Sequence, residues 1–130
     1  MQTDKRTQEA GSLPLARAAA RAAAEKQGER LTVLDVRELI VITDYFVIAS
    51  GGSERQVRTI AEEIQRVLRE KGARPVRKEG ELDARWLLLD YVDVVVHVFA
   101  EEEREFYDLE RLWRDAPRVD WERRDAASSV

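Results

Sequence analysis

Apolar residues alternate with polar ones, or run together, in several short segments that are typical of β-strands. The segments LTVLDVREL (31–39) and DYFVIASGG (44–52) are rich in β-branched residues, and the second ends at paired glycines. A short strand is predicted around residues 74–77, where Pro75 favours an edge position because proline donates no ladder hydrogen bond. The segment LLLDYVDVVVHVF (87–99) holds two aliphatic runs around a turn, which predicts a β-hairpin.

Two segments have the spacing and the caps of amphipathic helices. The first begins after Ser12, a good N-cap, with Pro14 near the first helical position, and runs through an alanine-rich stretch to Gly28 as the C′ residue. The second follows Ser53, which together with Gln56 matches the capping-box pattern, and its apolar stripe continues to residue 68. Each is predicted to pack one face on the sheet.

A third helix is predicted over EEEREFYDLERLW (101–113). Acidic residues occupy its N-terminus, where the helix dipole favours them. Its apolar residues recur at helical spacing and should form one packing stripe. The stripe consists of Phe106, Leu109, Leu112 and Trp113.

Strands that alternate with helices predict an α/β fold. We expect a three-layer α/β/α sandwich with a mixed sheet of about five strands and about three helices. One domain should cover residues 11–117, because the chain length suits a single core. Residues 1–10 and 118–130 are expected to be polar tails. The sequence assigns no role to Trp121 in the second tail.

The hairpin has one aliphatic face and one mixed face. A turn of two or four residues centred between Tyr91 and Val92 would pair Trp86 with His97 and would set Asp90 opposite Asp93. The mixed face then carries those side chains, and the aspartates most simply cap the turn. The other face is aliphatic and should lie under a helix. It consists of Leu87, Leu89, Val94, Val96 and Val98.

Composition excludes several classes of function. The 130-residue chain has 22 Lys+Arg against 26 Asp+Glu, a net charge of -4 and no cysteine. That balance predicts little direct binding of nucleic acid, although a local contact through Arg74, Arg77 and Lys78 stays open. No thiol chemistry is available, and no metal site is expected from one histidine. No apolar stretch approaches the roughly 18 residues of a membrane span, so a cytoplasmic protein is predicted.

The segment Gly51-Gly52-Ser53, between a strand and a helix, has the form of a phosphate-approaching loop and is similar to the Gly-Ser entry of nucleotidyltransferases. Such enzymes need paired carboxylates for two metal ions, and the following helical segment has no such pair. The remaining aspartates fall in four separate settings, at Asp35, Asp44, Asp90 and Asp93. No Ser-His-Asp arrangement is evident either. We predict no catalytic residue and no cofactor, with a nucleotide-binding or nucleotide-transferring enzyme as the alternative.

Four ordered blocks resemble one family. They are ITDYFVIASG (42–51), SERQVRTIAEEI (53–64), W-x-L-x-D-x-x-D-V-V-V-H-V-F (86–99) and R-x-F-Y-D-L-E-R-L-W (104–113). Together they resemble the ribosomal silencing factors, the Iojap-related proteins of bacteria and organelles. The resemblance covers roughly residues 14–117. Four blocks in this order and at compatible spacing are a specific signal of the family, whereas any one block alone would be a weak signal.

The resemblance implies a non-enzymatic repressor of translation with a nucleotidyltransferase-like α/β fold. It implies that the chain binds the large ribosomal subunit through its ribosomal protein fourteen and sterically blocks the small subunit when nutrients are scarce. The implied contacts are Trp86 first, then Asp90, Asp93, His97, Arg104 and Tyr107. A homodimer through the Trp86 and His97 surface is left open.

One position departs from the family pattern. Val92 stands where the family usually has glycine in an Asp-aromatic-Gly-Asp turn. A β-branched residue resists the positive φ that glycine accepts, so a type I′ turn is disfavoured. We therefore expect a four-residue loop or an open turn, which would shift Asp90 and Asp93.

Overall fold

The computed structural model describes residues 12–123 and contains a mixed five-stranded sheet with helices, which confirms the α/β prediction. The strand order is β1-β2-β5-β4-β3, with β2 parallel to β5 and the other neighbours antiparallel. The strands are β1 (Glu29–Asp35), β2 (Tyr45–Gly51), β3 (Arg77–Glu79), β4 (Trp86–Asp90) and β5 (Val94–Ala100). The helices are α1 (Ser12–Glu25), α2 (Glu54–Glu70), α3 (Glu101–Tyr107) and α4 (Leu109–Leu112).

The two sheet faces are covered differently. Helices α1 and α2 pack on the face that carries Leu87, Leu89 and the alternate valines of β5, as the hairpin pattern predicts. The opposite face holds a smaller core with Phe99, and it is covered by α4 and the chain that follows as far as Ala116. The full three-layer sandwich and its likeness to nucleotidyltransferases stay predictions. Strand β3 lies at the sheet edge, as Pro75 indicates. It begins only at Arg77, after the proline, whereas the strand was predicted around residues 74–77.

The end of α1 differs from the prediction by one residue. Gln27, not Gly28, adopts the left-handed backbone at φ 59. The Gln27 N–H bonds to the Ala24 carbonyl at 3.0 Å, and the Gly28 N–H bonds to the Ala23 carbonyl at 2.8 Å, which together form a Schellman motif. Gly28 is needed for close approach, since a Cβ there would lie 2.9 Å from the Ala23 oxygen.

The register of the β4–β5 hairpin is shifted by two residues from the predicted one. Trp86 pairs with Phe99 and Leu88 pairs with His97, whereas the sequence predicted Trp86 opposite His97. A shift of two residues leaves every side chain on its predicted face, because the side-chain period of a strand is two. The assignment of faces is therefore confirmed, and the cross-strand pairing was wrong.

The hairpin turn is tighter than expected. The Tyr91 N–H bonds to the Val94 carbonyl at 2.9 Å, so Val92 and Asp93 form the tip. Val92 takes φ 75, and the Asp93 N–H bonds to the Tyr91 carbonyl at 3.0 Å across it. This closes a three-residue turn around a β-branched residue, a strained arrangement. The expectation of a four-residue loop or an open turn was wrong.

The packed part of the chain extends beyond residue 117. The Pro117 carbonyl accepts from Asp35 N–H, and the Val119 N–H donates to Val33, so this segment covers the free edge of β1. Trp121 packs on the α1 core. Residues 118–121 of the predicted tail at 118–130 therefore pack against the domain. Residues 124–130 and the predicted tail at 1–10 lie outside the described residues.

We expect Val92→Gly to stabilise the protein by about 1 kcal/mol. A non-glycine residue at positive φ costs on the order of 1–3 kcal/mol, and the extra freedom of glycine in the unfolded chain offsets about 0.5–1 kcal/mol of that. Urea unfolding measures the difference. Val76→Gly is the control, because Val76 is also exposed and has no positive φ. Equal destabilisation of both variants would show that the turn at Val92 is not strained.

Candidate partner-binding surface

A group of aromatic side chains lies on the sheet face opposite α1 and α2. This aromatic cluster consists of Phe46, Trp86, His97, Phe99, Tyr107 and Trp113. The Trp86 ring lies 4.9 Å from Phe99 and 4.5 Å from Tyr107, between centroids. Phe99 is fully buried, Trp86 is partly buried and Tyr107 is 45% exposed. The cluster therefore rises from the core to the surface at the start of β4.

A hydrogen bond fixes the orientation of the Trp86 indole. Its Nε1–H donates to His97 Nδ1 at 3.1 Å. Because an indole nitrogen only donates, Nδ1 must be unprotonated and the neutral imidazole carries its proton on Nε2. Nε2 is buried without a hydrogen-bond partner among the described residues. Burial lowers the pKa of His97 to about 4, so the ring is neutral at pH 7 and keeps its acceptor for Trp86.

Arg104 of α3 is buried on the same side of the sheet as the cluster, and all three of its side-chain nitrogens are hydrogen-bonded. Its side chain has no exposed area. Nη1 donates to Ser50 Oγ at 2.6 Å in β2, and Nη2 donates to the carbonyl of Arg30 and to Thr32 Oγ1 in β1. Nε and Nη2 both reach the Glu110 carboxylate. Arg104 thus joins α3 to two strands and to α4.

The carboxylate of Glu110 reaches Arg104 because the third helix is broken. Asp108 adopts φ 45, which ends α3 and begins α4. In a continuous helix, residues six apart lie about 120° apart around the axis and about 9 Å apart along it, so the two side chains would not share a face. Burial tends to raise the pKa of Glu110, but the Arg104 hydrogen bonds and charge outweigh it and lower that pKa. The pair is therefore ionised.

The break also changes which apolar residues are buried. Leu109 is 8% exposed and packs in the smaller core with Trp113, as predicted. Phe106 is 80% exposed and Leu112 is 70% exposed, so their predicted packing role was wrong. Both line an open groove around the break, flanked by charged residues of both signs. The sequence pattern missed them because it assumed one continuous helix.

The structure divides the predicted contact residues into two groups. Trp86, His97, Arg104 and Tyr107 belong to the cluster or support it, whereas Asp90 and Asp93 lie at the hairpin tip, about 13 Å along β4 from Trp86. The Asp90 carboxylate accepts from the Val92 N–H at 2.8 Å and lies 3.5 Å from Arg77. Asp90 therefore caps the turn.

Burial separates these residues further. Arg104 is 1% exposed and His97 is 6% exposed, so neither side chain is available at the surface of this conformation. Each instead holds a neighbouring side chain in place: His97 accepts from Trp86, and Arg104 pairs with Glu110. The other four predicted contacts retain exposed area: Trp86, Asp90, Asp93 and Tyr107.

The hydrogen-bonding groups of the glycine-serine loop are already used by Gln56 of the following helix, α2. The Gly52 N–H donates to Gln56 Oε1 at 2.6 Å, and Ser53 Oγ accepts from the Gln56 N–H at 3.1 Å, which confirms the Ser53 cap. The Gln56 amide in turn donates to the Lys26 and Gln27 carbonyls. A phosphate would have to displace this side chain to use the Gly52 N–H.

The candidate carboxylates are dispersed. Asp35 pairs with Arg37 at 2.6 Å, Asp44 accepts from Ser12 at 3.0 Å, and the other two aspartates lie at the hairpin tip. Within residues 12–123, no group of three His, Cys, Asp or Glu side chains is placed to hold a metal ion. No helix in the described part of the chain is long and apolar enough to cross a membrane.

Comparisons with known proteins agree on one family. Residues 8–130 match the family model described as "Ribosomal silencing factor during starvation". The chain is 46% identical over 98 residues to a ribosomal silencing factor of Halalkalibacterium halodurans, covering 75% of this chain and 84% of the relative. It is 45% identical over 102 residues to that of Bacillus subtilis, covering 78% and 86%.

More distant matches extend the comparison. The mouse protein named "Mitochondrial assembly of ribosomal large subunit protein 1" is 32% identical over 92 residues, covering 68% of this chain and 40% of the relative. A crystal structure of a protein from Chromobacterium violaceum superimposes with a TM-score of 0.74 at 35% identity, covering 76% of this chain and 82% of that one.

We expect Arg104→Met to lower the free energy of unfolding by about 3 kcal/mol, because it leaves the partly buried Glu110 carboxylate and the buried Ser50 hydroxyl without their partner. Urea unfolding at pH 7 measures the loss. Arg111→Met is the control, since Arg111 is exposed and should change stability by less than about 0.5 kcal/mol. Full stability in the Arg104 variant would argue that Arg104 serves as a contact rather than a support.

We also expect stability to fall as the pH drops from 6.5 to 4, because the buried His97 has a pKa near 4 and the unfolded residue titrates near 6.5. In this range the unfolded state binds a proton that the folded state does not. The free energy of unfolding should therefore decrease by roughly 2 kcal/mol between pH 7 and pH 5. His97→Asn retains an acceptor and does not titrate. Its stability should decline less over this range, and an equal decline would exclude His97 as the cause.

Proposed function

The chain belongs to the ribosomal silencing factor family, and from this membership we propose that it binds the large ribosomal subunit and blocks association with the small subunit. Translation would then fall when nutrients are limiting. The names of the bacterial relatives support the silencing role. The name of the mouse relative refers to the large subunit, which supports that choice of subunit.

The proposed contact is ribosomal protein fourteen of the large subunit, and the surface that meets it is the exposed edge of the aromatic cluster. The observation that carries this choice is the fixed indole of Trp86 packed against a half-exposed Tyr107. Preorganised aromatic side chains are frequent hot spots, because they lose little entropy on binding. Phe106 and Leu112 extend the apolar area next to Tyr107.

The other predicted contact residues receive different roles. His97 and Arg104 hold the surface in shape from below. Asp93, exposed at the hairpin tip, and Asp90, beside it, are proposed as peripheral contacts at the far end of the strands. Their charges would affect the rate of association more than the affinity.

Steric exclusion needs no chemical step, so we propose that the protein is not an enzyme and uses no cofactor. A 15.0 kDa body on a docking surface excludes a second particle by its volume. A standard interface of about 800 Å² on each partner is sufficient for specific binding. The cytoplasm, where the subunits meet, is the proposed location. A homodimer through the same surface would compete with ribosome binding.

We expect Trp86→Ala to abolish co-sedimentation with purified large subunits. Tyr107→Ala should weaken it about tenfold or more, because a lost hot spot costs more than about 1.4 kcal/mol. A light-scattering assay of subunit association should show the same order of loss. Circular dichroism and thermal unfolding confirm that each variant is folded.

Val76→Ala is the matched control, since Val76 is 68% exposed and precedes the edge strand β3. Tyr107→Ala separates binding from folding if Trp86→Ala is unstable, because Tyr107 is more exposed. Unchanged binding by a folded Tyr107 variant would move the contact away from the cluster. Normal subunit association in the presence of the parent protein would overturn the proposed function itself.

A further inference from the structure

Residues 69–78, REKGARPVRK, form the most basic segment of an acidic chain. The segment contains five cations and one acid, whereas the whole chain has a net charge of -4. Such a local reversal of charge is the electrostatic pattern that attracts polyanions. The cations are Arg69, Lys71, Arg74, Arg77 and Lys78.

The fold turns part of this segment into a groove. A cavity of about 240 Å³ lies between the last turns of α2 and the edge strand β3. Its cationic lining residues, Arg69, Arg74 and Lys78, are all exposed, and no carboxylate lines it. The remaining lining residues are Gln65, Ala73 and Pro75.

The backbone holds the groove in shape. Gly72 adopts φ 88 after α2, its N–H bonds to Arg69 at 2.9 Å, and the Ala73 N–H bonds to Leu68 at 2.9 Å. This Schellman motif turns the chain back toward β3, and the following Pro75 restricts its own φ. The Val76 N–H then joins the sheet by bonding to the Asp90 carbonyl at 2.8 Å. Arg74 is therefore attached to an ordered segment.

The acidic residues nearby leave most of this charge available. Glu70 pairs with Arg66 at 2.7 Å, and Arg77 pairs with Glu79 and Asp90. Lys78 lies 3.4 Å from Glu81, but exposed pairs of this kind are weak and exchange readily.

The remaining cations have no such neighbours. Arg69, Lys71 and Arg74 have no carboxylate within 4.0 Å among residues 12–123. The dipole of α2 accounts for cations in its last turn, but Arg74 lies beyond that turn, and the dipole effect falls off within it.

We propose that this groove binds the phosphate backbone of RNA. Arginine and lysine side chains are the usual partners of phosphate, and their contacts carry no sequence preference. The cavity is smaller than the roughly 300–1,000 Å³ of a site that encloses a small molecule, so it suits a phosphate of a strand that crosses the surface. The inference rests on the proposed function, which places the chain on an RNA-containing particle.

The groove and the aromatic cluster lie on different sides of the sheet. Lys78 pairs with Leu89, which faces α2, whereas Trp86 points to the opposite face. RNA contact at the groove would therefore add a second attachment to the one made by the cluster. Two attachments on one rigid body raise the total affinity and fix orientation.

The test is fluorescence anisotropy of the full chain with a fluorescein-labelled RNA hairpin at about 50 and 150 mM salt. We expect measurable binding of the parent protein that weakens with salt. Replacing three cations together, as Arg69→Gln, Arg74→Gln and Lys78→Gln, should weaken binding at least tenfold at the lower salt. It should also reduce the slope of log affinity against log salt by about 2.1–2.7, which is roughly 0.7–0.9 for each of the three lost phosphate contacts.

The matched control removes the same net charge elsewhere, through Arg55→Gln, Arg118→Gln and Arg123→Gln, all of which are exposed. The proposal requires the control to bind as the parent does. It is overturned if both triple variants weaken equally, if the parent does not bind RNA at 50 mM salt, or if labelled polyglutamate binds as tightly as RNA. The last result would assign the groove to an acidic protein segment.

The RNA-binding assay contains no ribosomes, so its outcome is independent of the outcome of the subunit-association assay. Failure of the proposed function would appear as normal subunit association with the parent protein. Failure of the groove proposal would appear as absent or non-selective binding of RNA alone.

Discussion

The hydrogen bonds of the buried Arg104 guanidinium hold together the elements on the sheet face opposite α1 and α2. The guanidinium lies where β1, β2, α3 and α4 meet, and it satisfies groups that would otherwise be buried without partners. The Arg30 carbonyl lies at the irregularity in β1, where Arg30 itself adopts φ 53. A charge in this position costs free energy unless every donor is used, and here Glu110 supplies the compensating carboxylate. The break at Asp108 is the backbone change that makes the pairing reachable.

That arrangement determines what the chain presents to a partner. With α3 held on the sheet, Tyr107 packs over Trp86, and the indole is oriented by a histidine that burial keeps neutral. With the helix broken, Phe106 and Leu112 turn outward beside them. The ion pair of Arg104 and Glu110 thus supports an ordered aromatic and aliphatic surface, the kind of surface in which interface hot spots are found.

Much of the fold follows from local patterns. The strands, the capped helix after Ser53 and the edge strand after Pro75 are visible in the spacing of apolar residues and in proline and cap chemistry. The faces of the hairpin were also predictable, because a two-residue shift of register leaves every side chain on the same face of the sheet. The register itself depended on the turn, and Val92 adopts a conformation that its own preferences oppose. The strain is tolerated because the paired strands on both sides over-determine the turn.

By itself the sequence determined the fold class, the faces of the strands and the family, since these depend on residue order and on short-range preferences. Through the resemblance it also predicted six partner contacts, whose role in binding stays a prediction: Trp86, Asp90, Asp93, His97, Arg104 and Tyr107. Only the tertiary structure decided that Arg104 is buried, that His97 accepts from Trp86 and that one helical stripe is divided in two. The physical reason is that a buried charge takes its partners from elements distant in the chain. Helical periodicity describes only neighbours three and four residues apart. It therefore cannot predict that the Glu110 carboxylate reaches Arg104 across a break in the helix.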